Sequence, residues 1–287
     1  MSKSLTIDSF PFNNELSLLE VRLEELNDVV DYHILIESSR TQSRLKKPFH
    51  FKENVHLFEK FKDKIISVQL DEYKEGGPAD WSQERFVRDS ILDGLKKLEQ
   101  EKNISLKNSD HLIISDLDEI PMASKVKEIV SDRPINPVSI NHYFISYFYN
   151  LYCPHRGWWG SVVTNFENIR NGYSPQTLRD AKDMLFHEGE WDKVFFGWHF
   201  SSCADFDGIW NKWLNNIEPH DKSFLYKPGA KEKYRKLFYE AVVKQKRFFY
   251  CDDILKYDIK LEILPIEKLP TFMQNNIENY KHLLIQS

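Results

Sequence analysis

HLIISDLDEIP, His111 to Pro121, is the stretch from which the rest of the chain is read. Its first part, HLIIS, is short and apolar, the pattern of a strand buried on both faces of a parallel sheet. It ends on two carboxylates, Asp116 and Asp118, at spacing i, i+2. The chain leaves the sheet there and is free to turn, so both can face one divalent cation. Hard oxygen ligands select Mg²⁺ or Mn²⁺. A cation held in this way keeps open positions for phosphate oxygens and stabilises a departing diphosphate by Lewis-acid action. The bland alternative is a pair of turn aspartates capping a helix after Pro121.

Upstream, Leu5–Ser9, Tyr32–Glu37 and Ile65–Val68 read as further short strands. Asn13 or Asn14 is positioned to cap a helix starting near Glu15, where Leu16, Leu19, Leu23 and Leu26 share a face. Gly76-Gly77-Pro78 makes the loop from Asp71 to Asp80 irregular. One long helix is expected over Trp81–Glu101, with Phe86, Ile91, Leu95 and Leu98 on its apolar side. Strands alternating with helices imply an α/β fold with a mostly parallel central sheet flanked by helices. Ligands in such sheets sit at the carboxyl ends of the strands, where Asp8, Glu37, Asp116 and Asp118 are expected.

The second half reads differently. Val138–Tyr149 and Trp158–Thr164 look like antiparallel strands, and Val194–Ser201 like another. Helices are expected over Asp205–Asn216 and Ala230–Phe248. With no internal repeat and no low-complexity linker, the expected organisation is one domain over residues 1–220, with a C-terminal helical extension over 221–287 packed on it.

Composition excludes several function classes. Lys plus Arg is 39 against 44 Asp plus Glu, a net charge of −5, and general nucleic-acid binding calls for a basic footprint. Ten glycines with no GxGxxG and no GxxxxGK[ST] leave no phosphate loop of that kind. Cys153, Cys203 and Cys251 form no CxxC, which fits a reducing compartment and gives no metal framework. No signal-peptide-like apolar segment follows the start MSKSLTIDSF. The uncharged run Asn136–Pro154 reads as a buried strand pair and not as a transmembrane segment. The expected location is cytoplasmic.

Two further motifs bear on chemistry. In Phe195-Phe196-Gly197-Trp198-His199-Phe200-Ser201-Ser202-Cys203, His199 is a candidate third metal ligand or proton donor to a phosphate. Trp198 is a candidate platform for the apolar side of a sugar. Core packing is the plain reading of both. In Glu84-Arg85-Phe86-Val87-Arg88, Arg88 or Arg85 offers a guanidinium fork to a phosphate, and the plain reading is a salt bridge with Glu84 or Asp89.

Taken in order, these residues resemble glycosyltransferase family 17. The resemblance is carried by Asp8-Ser9-Phe10, Asn14-Glu15-Leu16, Leu19-Glu20-Val21-Arg22-Leu23, Val30-Asp31, Ile36-Glu37-Ser38, Arg88 and Asp93-Gly94. It continues through Ser115-Asp116-Leu117-Asp118-Glu119-Ile120-Pro121 and Gly197-Trp198-His199 with Ser201 and Cys203. It runs from about Thr6 to about Lys212. It implies a GT-A-like nucleotide-sugar-binding fold and an inverting transfer from UDP-N-acetylglucosamine to a glycan acceptor, with Mn²⁺ or Mg²⁺. The family's best-known members are β-1,4-mannosyl-glycoprotein β-1,4-N-acetylglucosaminyltransferases. This chain departs from the animal enzymes in having Phe200 where they carry a cysteine and in showing no membrane anchor. The expected acceptor is therefore a microbial or viral glycan or a lipid-linked saccharide.

The resemblance assigns roles. Asp118, helped by Asp116, holds the metal against the two phosphates of the UDP-sugar. His199 completes the metal shell or contacts the diphosphate. Arg88 offsets charge on the leaving UDP, Asp8 and Glu37 contact uridine or ribose, and Trp198 meets the sugar. Glu119 is the expected base, with Glu188 and Asp205 as alternatives.

Two rival readings differ in class. A haloacid-dehalogenase-type phosphohydrolase also places DxD after an apolar strand, with Asp116 as nucleophile and Asp252-Asp253 after Cys251 as a later acidic pair. That motif normally lies near the N-terminus and carries Thr or Val where this chain has Ile120. A non-catalytic carbohydrate-binding protein would use Trp158, Trp159, Trp191 and Trp198.

Overall fold

The structure, a computed structural model, describes residues 4–77, 80–132, 134–188, 190, 193–215, 223–249 and 259–285. Trp191, Pro78 and Cys251-Asp252-Asp253 lie outside these residues. The strands are β1 (Thr6–Phe12), β2 (Tyr32–Ser38), β3 (Ile65–Leu70), β4 (His111–Ile114), β5 (Glu119–Pro121), β6 (Val138–Ser146), β7 (Leu151–Asn165), β8 (Phe186–Glu188), β9 (Gly197–Ser201) and β10 (Glu262–Ile263). The helices are α1 (Leu16–Leu26), α2 (His50–Glu53), α3 (Ser82–Asp89), α4 (Ile91–Lys102), α5 (Ala123–Asp132), α6 (Phe166–Arg170), α7 (Pro175–Asp180), α8 (Phe206–Asn215), α9 (Ala230–Phe238), α10 (Thr271–Asn275) and α11 (Ile277–Tyr280).

All ten strands join one sheet in the order β3-β2-β1-β4-β7-β6-β9-β5, with β8 on β6 and β10 on β7. The half formed by β3, β2, β1 and β4 is parallel throughout. β7 then runs antiparallel to β4 and β6, while β9 is parallel to β6 and antiparallel to β5. This is the expected α/β architecture with helices on both sheet faces.

The parallel half holds because its strands are apolar on both sides. Ile7, Ile34, Ile36, Ile66, Leu112 and Ile114 pack against Ile91, Leu95 and Leu98 of α4. Gly94 permits this approach, since a Cβ there would lie 2.2 Å from the Ile34 side chain. On the other face Phe10 and Leu35 meet Leu19 and Leu23 of α1. Each such leucine contributes about 2 kcal/mol by leaving water.

Several expected boundaries move. The long helix over Trp81–Glu101 is two helices, because the Ser90 hydroxyl donates to the Phe86 carbonyl at 2.8 Å and tightens the turn there. Neither Asn13 nor Asn14 caps α1. Glu15 holds the cap position and makes no side-chain cap hydrogen bond. The expected strand ending at Tyr149 stops at Ser146, because Tyr147 turns the chain at φ +71°. The expected helix Ala230–Phe248 keeps α-helical geometry only to Phe238.

The C-terminal residues close the far side of α1. Met273, Tyr280 and Leu283 pack on Leu18 and Val21. Asn150 fixes the end of this segment by donating to the Ile285 carbonyl at 2.9 Å and accepting from its N–H at 2.8 Å. No helix among the described residues is long and apolar enough to cross a membrane.

Candidate active site

A cleft of about 980 Å³ opens where β1, β2 and β4 end. Its floor is the turn between β4 and β5, which carries Asp116 and Asp118. One wall comes from the chain after β1 and β2 and from α3. The opposite wall comes from α8, Ser202–Asp205 and His282–Leu283.

The floor is shaped from below. Arg22 of α1 is fully buried and donates to the carbonyls of Asp116, Leu117 and Glu119 at 3.0, 3.2 and 2.9 Å. The same guanidinium grips both oxygens of Asp8 at 2.8 and 2.6 Å, and His33 Nδ1 lies 2.9 Å from that carboxylate. Burial alone would raise the Asp8 pKa, but the charge and hydrogen bonds of Arg22, with those of His33, lower it to about 2. β5 then pairs with β9 so that Glu119 faces His199, and Phe200 N–H donates to the Asp118 carbonyl at 2.8 Å.

Above this turn lies a lattice of guanidinium and carboxylate groups. Arg88 donates to Asp116 Oδ1 at 2.6 Å, Glu84 at 3.0 Å and Gln176 at 2.6 Å. Arg179 of α7 donates to Asp116 Oδ2 at 3.2 Å and to Glu119 Oε1. Burial opposes the Asp116 charge, yet Arg88 and then Arg179 hold its pKa well below the ordinary carboxylate range. Glu119 also accepts from the Asp116 N–H at 2.9 Å and from Trp158 Nε1 at 2.5 Å.

Asp118 is the exception. No guanidinium reaches it; Lys212 Nζ of α8 lies 3.5 Å from Oδ2 and His199 Nε2 lies 3.8 Å from Oδ1. Burial raises its pKa to about 7; Lys212 pulls the other way, while Glu119, Asp116 and Glu15 add to the rise. His199 stacks on Trp158 at 4.6 Å between centroids. Burial, then the charge of Lys212, holds its pKa well below the usual value, so the ring is neutral at pH 7.

Among the described residues no group of three His, Cys, Asp or Glu side chains is arranged to hold a metal ion. What the floor of the cleft offers is Asp118, a carboxylate not claimed by arginine among the described residues, beside the neutral imidazole of His199. That donor pair fits Mg²⁺ or Mn²⁺, which take one or two protein ligands and fill the remaining positions with phosphate oxygens and water.

The sequence-derived site is thus partly reassembled. Asp118, His199 and Arg88 meet in the cleft as expected. Asp116 lines it too, and there it anchors Arg88 and Arg179. Glu119 is 1% exposed with both oxygens engaged, so it is not placed to act as a base. Asp8 lies beneath the sheet on Arg22 and not in the cleft. Glu37 is buried, accepting from Phe51 N–H at 3.2 Å and Lys47 at 3.2 Å, and meets no nucleotide surface. Trp198 is core, its indole donating to the Lys268 carbonyl at 2.8 Å. Arg85 is exposed, 3.5 Å from Asp180, a plain surface pair. Arg179, Lys212 and Trp158 were not singled out for these positions from the sequence. Both oxygens of Asp116 are engaged by arginine, Oδ1 by Arg88 and Oδ2 by Arg179, an arrangement that does not favour the phosphohydrolase reading. The buried Trp159 and Trp198 likewise offer no open sugar platform.

A family model described as Glycosyltransferase family 17 matches residues 2–206. Beta-1,4-mannosyl-glycoprotein 4-beta-N-acetylglucosaminyltransferases of Rattus norvegicus and Homo sapiens are each 35% identical to the chain over 119 residues. That stretch is 40% of this chain and 21% of each relative, so the chain matches about a fifth of the curated relatives' length. Among solved structures, the mannosyltransferase PcManGT from Pyrobaculum calidifontis, in complex with GDP-Man and Mn²⁺, is 12% identical with a TM-score of 0.40, over 81% of this chain and 70% of that one. Mouse xyloside xylosyltransferase 1 in its apo form is 13% identical with a TM-score of 0.27, over 63% and 75%.

Proposed function

The chain belongs to glycosyltransferase family 17, and from that premise we propose that it transfers N-acetylglucosamine from UDP-N-acetylglucosamine to a saccharide acceptor, with inversion and with Mn²⁺ or Mg²⁺. The observation that carries this reading is Asp118 facing neutral His199 in a cleft that also holds Arg88, Arg179 and Lys212. A donor with two phosphates needs positive charge, which here would come from a bound metal together with Lys212, since Arg88 and Arg179 are already matched by Asp116, Glu84 and Glu119. Asp118 and His199 would hold the metal, which when bound supplies Lewis-acid stabilisation of the diphosphate. Arg88 and Arg179 fix Asp116 and so hold the floor of the cleft in place beneath the leaving group. Lys212 neutralises Asp118 and faces the same space. Trp158 keeps the imidazole of His199 edge-on to Asp118. The donor is read from the relatives, whose names specify an N-acetylglucosaminyl group and a β-1,4-mannosyl-glycoprotein acceptor.

The test is a panel of nucleotide sugars with Mn²⁺, following release of the nucleoside diphosphate. UDP-N-acetylglucosamine is expected to turn over fastest. Asp118→Ala is expected to lower that rate by about 10²-fold or more with the melting temperature preserved. Near wild-type turnover in Asp118→Ala would overturn the reading.

A further inference from the structure

Inversion requires a base to take the proton of the attacking hydroxyl, and each carboxylate that the sequence offers for this task has another partner. Glu119 is engaged by Arg179, Trp158 and the Asp116 N–H. Glu188 lies off the cleft and pairs with Lys125 at 2.8 Å. Asp205 lines the cleft but its side chain is used to cap α8, accepting the Gly208 N–H at 2.8 Å, and unlike Glu15 it is not among the main charges acting on Asp118 at the floor. Of the other carboxylates lining the cleft, Glu84 and Asp116 are bound to Arg88, and Asp118 sits between Lys212 and His199.

Glu15 remains. It holds the N-cap position of α1, yet its side chain does not cap the helix. One carboxylate oxygen accepts the Asn14 N–H at 3.0 Å, and among the described residues the group forms no ion pair. It lines the cleft at the junction of the two walls, and its charge acts on Asp118, Lys212, Tyr149 and Lys47. A half-buried carboxylate that lines the cleft and forms no ion pair among the described residues is open to a hydroxyl entering there.

The wall facing Glu15 differs in chemistry from the donor wall. Ser202, Asn211 and His282 present hydrogen-bonding groups there without a cluster of arginines. Ser202 adopts φ +56°, a left-handed turn that swings the chain from β9 into α8. Asn211 and His282 lie beyond residue 206, where the family match ends.

We propose that Glu15 is the general base, and that the acceptor is a neutral saccharide whose hydroxyl enters between the start of α1 and α8. This rests on the glycosyltransferase reading. The Glu15 carboxylate takes the hydroxyl proton while that oxygen forms a bond to the sugar C1. The bond from C1 to the phosphate oxygen breaks, and its electron pair leaves with the nucleoside diphosphate. Glu15 then returns the proton to solvent.

The test uses the full chain with UDP-N-acetylglucosamine and Mn²⁺, with water or para-nitrophenyl β-mannoside as acceptor, and UDP affinity measured separately by calorimetry. Glu15→Gln is expected to lower kcat at least about 100-fold, with UDP affinity unchanged within about threefold. Glu15→Ala is expected to regain rate on addition of formate. Retention of more than about a tenth of kcat in Glu15→Gln, parallel loss of UDP affinity, or a larger loss in Asp205→Asn would overturn the base assignment alone. A wild-type protein that neither binds UDP nor releases it from the donor overturns the glycosyltransferase reading and this proposal with it.

Discussion

The two walls of the cleft are built on opposite plans. On the donor side almost every charge has a partner: Arg22 with Asp8, and Arg88 and Arg179 with Asp116, Glu84 and Glu119. On the α8 side Lys212 makes one long contact and Asn211 and His282 stand exposed, while Glu15, at the junction of the walls, makes no ion pair among the described residues. Desolvated ion pairs carry a large burial penalty and are tolerated when their geometry is well satisfied. The first wall is therefore a fixed frame for a ligand of constant chemistry. The second is a loose set of groups that await a ligand. A nucleotide diphosphate suits the frame and a variable glycan suits the other wall.

The largest expected effect comes from breaking the frame at its buried hub. Arg22→Leu leaves Asp8 charged beneath the sheet and removes three hydrogen bonds to the floor carbonyls. The expected loss is about 3–5 kcal/mol of unfolding free energy, read from urea denaturation. Pairing it with Asp8→Leu should restore part of that loss. If Arg22→Leu unfolds at the wild-type urea midpoint, the frame is not what holds the donor wall.

Acid should separate the same hub from the floor above it. The Asp8 pKa is lowered from 3.8 to about 2, so the unfolded chain binds the extra proton between those values. Its stabilisation, about 2 kcal/mol, is present above pH 4 and is lost as pH falls through about 2. Asp118 runs the other way: its raised pKa, about 7, makes the folded state bind the extra proton, so its contribution falls as pH rises from about 4 to 7. Urea midpoints measured from pH 8 to pH 2.5 for wild type, Arg22→Leu and Asp118→Asn check both signs. The acid loss should shrink in Arg22→Leu, and the decline towards neutral pH should shrink in Asp118→Asn.

This comparison also explains what the sequence made legible. Strands buried on both faces advertise themselves as apolar runs, and Asp118 follows one while His199 lies in another; Arg88 was legible only as part of a helical run. Asp8 was misplaced because the apolar run Leu5–Ser9 set the strand end near Ser9, whereas β1 runs on through Pro11 to Phe12. Pro11 is tolerated because β1 pairs with β4 only as far as Ser9 opposite Ile114, so the missing N–H faces no strand on that side. Asp8 is consequently inside the strand and not at its end. Glu37 was misread for a related reason: the chain after β2 folds back and offers it the Phe51 N–H. Arg179 had no local signal, since α7 is six residues long and reaches Asp116 only through tertiary packing. Glu15 was hidden by the better caps beside it, Asn13 and Asn14.

The smallest expected effect on folding lies on the loose wall, and it sharpens the contrast. Lys212 is about a third exposed and stands 3.5 Å from Asp118. A pair so open is worth less than about 1 kcal/mol to stability, so Lys212→Met should unfold close to the wild-type urea midpoint. Its ammonium nevertheless faces the space assigned to the diphosphate, where a charged hydrogen bond is worth about tenfold in affinity. Lys212→Met is therefore expected to weaken UDP binding about tenfold. The wild type should also lose UDP affinity more steeply with added salt than the variant, because one screened charge contact is missing from the latter. If Lys212→Met instead costs as much stability as Arg22→Leu, the α8 wall is as fixed as the donor wall, and the difference between them disappears.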